Sequence, residues 1–145
     1  MVTVRLEGIE DVVKALEGKQ ADLKSAIEAI LMVGAEIIRQ AAASRAKGKI
    51  AANMTKERLS DSPITVGIGP SKRQWYAKFR EFGTKAHSVK PRRAKALQVG
   101  LDTFRARVRN HPGTVAQPFL RPALDENGGD AQTAMGNEVK RVLDL

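Results

Sequence analysis

Residues 75–84 read WYAKFREFGT, and this stretch from Trp75 to Thr84 holds four of the six aromatic residues of a 145-residue chain: Trp75, Tyr76, Phe79 and Phe82. At 3.6 residues per turn, the offsets between them place the four rings on one helical face, with Lys78, Arg80 and Glu81 elsewhere. Gly83 follows, a residue that takes the left-handed conformation in which helices commonly end. The stretch is predicted to be a short amphipathic helix with a buried aromatic face.

On the N-terminal side, Ile64, Val66 and Ile68 alternate with Thr65 and Gly67, the period of a strand that starts near Pro63 and stops at Gly69-Pro70. Thr55 to Leu59 is expected to make one helical turn. Ser44 to Thr55, SRAKGKIAANMT, has no continuous apolar face and is read as a loop or weakly ordered segment. The strongest helical pattern runs from Gln20 to Ala43, with Leu23, Ile27, Ile30, Gly34, Ile37, Ile38 and Ala41 recurring at three and four. Gly34 disfavours that helix by about 1 kcal/mol relative to alanine, which points to a close crossing or a bend. Before it, Glu10 to Glu17 reads as a short helix, and Val2, Val4 and Leu6 alternate as a strand.

On the C-terminal side, Lys85 to Arg93 is polar and basic. Lys95 to Val99 and Phe104 to Arg109 then form a predicted hairpin, with Phe104, Ala106 and Val108 on one face and Arg105, Arg107 and Arg109 on the other. A helix over Leu101 to Arg109 is the alternative. His111-Pro112-Gly113 marks a turn, and Pro118 to Leu124, PFLRPAL, opens a final helix in which Pro122 suits the first turn. Gly128-Gly129 threatens that helix, whose apolar face resumes at Ala131. Together these elements predict an α+β fold, one domain in which a small, mainly antiparallel sheet packs against a long helix and a C-terminal helix, with residues 85–117 a basic insert.

The net charge of +9 and pI near 10.2 favour acidic or polyanionic partners. From Ser71 to Arg121 thirteen basic residues face only Glu81 and Asp102. Lys90, Arg92, Arg93, Lys95, Arg105, Arg107 and Arg109 are the candidate contact residues. Few aromatics lie outside the opening stretch, which argues against a dedicated single-strand nucleic-acid binder. There is no Cys, no 18-residue apolar run and no basic-then-apolar leader, so the expectation is a soluble chain without disulfides or an export signal.

No catalytic constellation emerges. Gly67 to Lys72, GIGPSK, lacks the endings of both common phosphate-binding loops, and Pro70 removes a donor N–H. His87 and His111 sit in loops without a carboxylate or Cys at ligand spacing. The expectation is a non-enzyme with no cofactor and no metal.

The pattern YA-x-F-x-EFGT (Tyr76, Ala77, Phe79, Glu81, Phe82, Gly83, Thr84), followed by PFLRPALDEN (Pro118, Phe119, Leu120, Arg121, Pro122 through Asn127), resembles the tail-component family of long-tailed bacteriophages, the tail completion or head-tail joining neck proteins. The order of the other elements, including a strand ending in VGIGP, also resembles that family. The chain departs from it in lacking a Thr-Gly-x-Leu segment before the second strand and in the length of its basic insert. The resemblance implies a structural virion protein made in the bacterial cytoplasm. It would assemble as a homo-oligomeric ring of six copies in the neck, between head-connector and tail-tube proteins, without a membrane. The basic insert would meet either a neighbour's acidic face, with Glu10, Asp11, Glu17, Asp22, Glu28 and Glu36 as the complement, or the DNA that passes through the neck. A basic protein that binds nucleic-acid phosphates is the alternative reading.

Overall fold

A computed structural model describes residues 2–4, 20–91, 95–99 and 101–143. The chain divides into two compact units: residues 1–77 together with 119–145, and residues 78–118. The predicted helix from Glu10 to Glu17 lies outside the described residues.

In the larger unit, strand β1 (Val2–Val4), helix α1 (Gln20–Arg45), the single turn α2 (Lys49–Ala52), strand β2 (Met54–Asp61) and strand β3 (Ile64–Pro70) precede the final helix α4 (Leu120–Val142). The sheet is antiparallel in the order β1-β3-β2, with Val2 opposite Ile68 and Lys56 opposite the same residue from the other side. The central strand is therefore the one whose alternation was clearest in the sequence. The core joins Ile27, Ile30, Leu31, Ala35 and Ile38 of α1 to Val66 and Ile68 of β3 and to Ala131 and Met135 of α4. Helix α1 is thus held between sheet and α4, and the fold is α+β.

Gly34 marks a close helix crossing. A Cβ there would stand 2.7 Å from Met135 Sδ and 2.8 Å from its Cγ, so the missing side chain is what lets α4 lie against α1. The buried stripe of α1 is rotated from the expected one, running through Leu31, Ala35 and Ala42, while Ile37 is partly exposed.

Two local expectations are corrected. Ser44 to Thr55 is not a loop. Ala42, Ala46, Ile50 and Met54 recur every four residues and are buried with Phe119, Leu120 and Ala123, so α1 runs on to Arg45 and α2 follows after Gly48 at φ 58°. Small alanines carry little hydrophobic signal, yet they allow close packing at this end. Thr55 to Leu59 is strand, not a helical turn. Its alternation is carried by charge: Lys56 Nζ lies 2.9 Å from Glu36 Oε2 and donates to Met32 O at 3.1 Å, and Arg58 Nη1 lies 2.7 Å from Glu28 Oε2, tying β2 down onto α1. A register shift between Arg58 and Ser60 leaves Leu59 outside the ladder and 45% exposed.

Gly128 and Gly129 do not interrupt α4. Burial of Leu120, Ala123, Ala131 and Met135 offsets the roughly 1 kcal/mol that each glycine costs a helix. Among the described residues no helix is long and apolar enough to cross a membrane.

Candidate functional site

The smaller unit carries the charge. Residues 78–118 hold ten Lys and Arg against Glu81 and Asp102, so eight of the chain's nine net positive charges fall in this unit. Its elements are most of helix α3 (Ala77–Phe82) and the strands β4 (His87–Val89), β5 (Leu97–Gln98), β6 (Phe104–Arg105) and β7 (Val108–His111).

Helix α3 is only six residues long, and Trp75 and Tyr76 precede it, so the helical period does not extend over the four rings. The predicted buried aromatic face is therefore absent. Trp75 is 68% exposed, Phe82 80%, and Tyr76 and Phe79 about four-tenths. Within the helix, Glu81 is buried while Lys78 Nζ sits 5.1 Å over the Phe79 ring.

Gly83, at φ 69°, turns the chain out of α3 and into an antiparallel bridge between Thr84 and Thr114. The Thr84 amide donates to Thr114 O at 2.9 Å, and the Thr114 amide reaches Thr84 O at 3.2 Å and Thr84 Oγ1 at 3.0 Å. The bridge requires glycine on both sides. A Cβ on Gly83 would lie 2.6 Å from Thr114 O, and one on Gly113, at φ 88°, 2.1 Å from Thr84 O. Arg80 adds a second tie, its carbonyl accepting from the Gln117 amide at 2.7 Å and its Nη2 donating to Gln117 Oε1 at 2.9 Å.

Beyond the bridge, β4 pairs with β7 and sets His87 opposite His111, with ring centroids 4.9 Å apart. The hydrogen bonds assign the tautomers. His87 Nδ1 donates to Lys85 O at 2.8 Å, whereas His111 Nδ1 accepts from the Gly113 amide at 3.1 Å and so carries no proton. The pair lines an open cleft of about 700 Å³ together with Phe79, Lys85 and Thr114. Neither histidine is a simple loop residue, although a separation of 24 in sequence hides the pairing. Among the described residues no group of three His, Cys, Asp or Glu side chains is placed to hold a metal ion.

The predicted hairpin forms, but not as one long strand. Leu97 pairs with Arg105 and Gln98 with Phe104, and the chain then bends at Ala106 and Arg107 before β7 joins the other ladder. The row of three guanidinium groups is therefore split. Arg105 belongs to β6, Arg107 sits in the bend with Nη2 3.3 Å from Ser88 Oγ, and Arg109 belongs to β7, its side chain outside the described set. Lys90 and Lys95 are exposed, and Arg92 and Arg93 lie outside the described residues.

The family-like residues divide between the units. Phe119, 1% exposed, and Leu120, 5% exposed, anchor the start of α4 in the core, while Pro118 and Arg121 are exposed and Pro122 is half-buried. Of the acids expected to form a complement, Glu36 pairs with Arg39 and Lys56 and Glu28 with Arg58, so both already have cationic partners within the chain. The side chains of Glu10, Asp11, Glu17 and Asp22 lie outside the described residues.

Comparison with protein-family models, with curated proteins and with solved structures returns no match.

Proposed function

We propose that this chain is a ring-forming structural protein of a bacteriophage neck that completes the tail and joins it to the head connector. The observation that carries the reading is the division of labour within the chain. An α+β unit holds the core, and a separate unit concentrates the positive charge and exposes apolar side chains among its described residues. Such a division suits a subunit that meets its neighbours through two different surfaces, as head-to-tail rings require. Tyr76 to Thr84 and Pro118 to Pro122, the segments that carry the resemblance, bracket that second unit.

One observation favours nucleic-acid binding as a second reading. Phe82 and Phe104, 80% and 64% exposed, stand among the cations of residues 78–118, and exposed rings beside basic side chains are what single-stranded nucleic acid stacks on. Exposed stacking platforms, not expected from the sequence, are therefore present at Phe82 and Phe104.

The two readings separate in one pair of measurements on the purified full chain. The neck reading expects closed rings in particle images and native mass spectra, with weak oligonucleotide binding. Tight binding to free DNA whose affinity falls steeply with salt, by a chain that forms no ring, supports the alternative and overturns the neck reading.

A further inference from the structure

Residues 78–118 form a compact unit with no apolar core among its described residues. Among its described residues Glu81 is the one buried side chain, and no apolar residue reaches that state. Leu101 is 93% exposed, Val115 82%, Phe82 80% and Phe104 64%. Units of about 40 residues need staples or partners to fold, and a chain without Cys has no disulfide to supply. Its two ladders, β4 with β7 and β5 with β6, are two-stranded, so among the described residues each leaves both outer edges unpaired.

Leu101, the most exposed large apolar side chain among the described residues, lies between β5 and β6, and two hydrogen bonds hold the residues around it. The Val99 amide donates to Thr103 O at 2.8 Å, and Gln98 Nε2 donates to Leu101 O at 2.8 Å. Leu101 and Phe104 are thus presented by hydrogen-bonded backbone, and less ordering is required on binding. An aliphatic tip offers no π face to a base, so a nucleic acid would leave Leu101 wet, whereas a protein surface would cover it. Pairing two such units with each other would bring like charges face to face, which disfavours a contact between them.

The complement of charge exists in the same chain on helix α4. Over Leu120–Val142 it carries Asp125, Glu126, Asp130 and Glu138 against Arg121 in the first turn and Lys140 and Arg141 in the last. Glu126 engages Arg45 and Glu138 engages Arg141, which leaves Asp125 and Asp130 exposed and without an ion pair among the described residues. At 100° per residue these two stand about 140° apart on the outward side and flank a row containing Gly129, Thr133 and Gly136. A Cβ at either glycine would meet nothing within 4 Å, so the backbone at those two positions is open to whatever approaches, with Thr133 between them folded back onto Gly129 O.

We infer that the β5–β6 hairpin tip, with Leu101 and Phe104, docks on the outer face of α4 of a second copy of this chain, with Arg105 and Arg107 meeting the copy's Asp125 and Asp130. Made in one direction, as the ring reading requires, the contact is heterologous and propagates from copy to copy. It rests on the ring reading and names the surfaces that would close the ring.

Because the chain lacks Cys, engineered thiols report the contact on a clean background. Full-length chains carrying Leu101→Cys are mixed with chains carrying Gly129→Cys and oxidised, with Ser62→Cys, exposed at the β2–β3 turn, as the control partner. The expected result is a Leu101→Cys to Gly129→Cys adduct at least tenfold above the control. In parallel, Asp130→Lys and Leu101→Ser each weaken self-association tenfold or more by native mass spectrometry while circular dichroism stays unchanged. Rings in particle images without that adduct overturn the docking and leave the neck reading standing. The adduct in assemblies that never close supports the docking and removes the neck ring. A monomer without adduct overturns both, and so does protection of Leu101→Cys from thiol reagents by an oligonucleotide but not by a second copy.

Discussion

Gly83→Val tests whether the route of the chain out of α3 is fixed by one glycine. The residue stands at φ 69°, where a β-branched side chain costs about 1–2 kcal/mol. The added Cβ would also lie 2.6 Å from Thr114 O and 2.8 Å from the Ala116 amide nitrogen, both backbone atoms that cannot swing aside. Relief requires Thr84 and Thr114 to separate, and each lost hydrogen bond of that bridge contributes about 0.5–1.5 kcal/mol. With two backbone bonds lost the range is about 2–5 kcal/mol, and its middle, about 3.5 kcal/mol, is between two and three powers of ten in the opening equilibrium. Hydrogen exchange followed by mass spectrometry reads it directly. Peptides covering Thr84 and Thr114 should lose about 100-fold protection or more, while those from α1 keep theirs, because every clash falls within residues 78–118. Gly83→Asn divides the effect, since Asn tolerates left-handed backbone but still carries the Cβ. Equal losses in both variants assign it to the contact with Thr114. Wild-type protection at Thr84 and Thr114 in the Val variant refutes the reasoning.

Three further outcomes follow from the larger unit. Gly34→Ala gains about 1 kcal/mol of helix propensity but drives a Cβ into Met135, an overpacking worth about 1–3 kcal/mol. A net loss in urea melts is expected, along with a favourable coupling to Met135→Ala in a double-mutant cycle; strict additivity would remove the crossing from the argument. Phe119→Ala should lower stability by about 3–5 kcal/mol by calorimetry, because the ring is 1% exposed among Ala42, Ile50 and Ala123. The hydrogen bond from Arg39, with those from Lys56 and Gln40, holds the Glu36 carboxyl well below its ordinary value of 4.5 despite partial burial. Its stabilisation is complete above the unfolded carboxylate range and is lost as pH falls through the lowered folded value. Wild type should therefore lose about 1 kcal/mol more than Glu36→Gln between about pH 5 and pH 2, and parallel profiles would contradict the assignment.

The parts of the fold that were legible in the sequence are those whose buried residues are large and regularly spaced. Ile27, Ile30 and Ile38 announced α1, and Ile64, Val66 and Ile68 announced β3, because these side chains form the core itself. Strand β2 was not legible for a specific reason. Its inward positions are Lys56 and Arg58, whose heads pair with Glu36 and Glu28, so a strand fastened by ion pairs shows no apolar alternation. Residues 44–55 were missed through the opposite weakness, since Ala42 and Ala46 are too small to register as a face yet are buried. The rings of 75–82 misled because an aromatic residue permits burial without requiring it, and because the period was applied to two residues that precede the helix.

The candidate site was legible as charge and illegible as geometry, and the same cause produced both results. Counting Lys and Arg located the basic segment without any knowledge of pairing. The arrangement within it depends on contacts between distant residues: Thr84 with Thr114, His87 with His111, Leu97 with Arg105. No core periodicity encodes these pairings, because residues 78–118 bury no apolar side chain among those described. What sets the registers instead is turn chemistry, with Gly83 and Gly113 at positive φ on either side of the bridge. A unit organised in this way has little stability of its own to spend on side-chain order, and its exposed Leu101, Phe82 and Val115 remain a source of binding free energy, about 25 cal/mol per Å² once a partner removes them from water. Charge confined to that unit would steer the partner, and apolar area would hold it. The two contributions respond oppositely to salt: added salt screens the first and leaves the second intact. Assembly through this unit should therefore form more slowly at high salt while dissociating at nearly the same rate, a kinetic signature that phosphate binding, weakened throughout by salt, does not share.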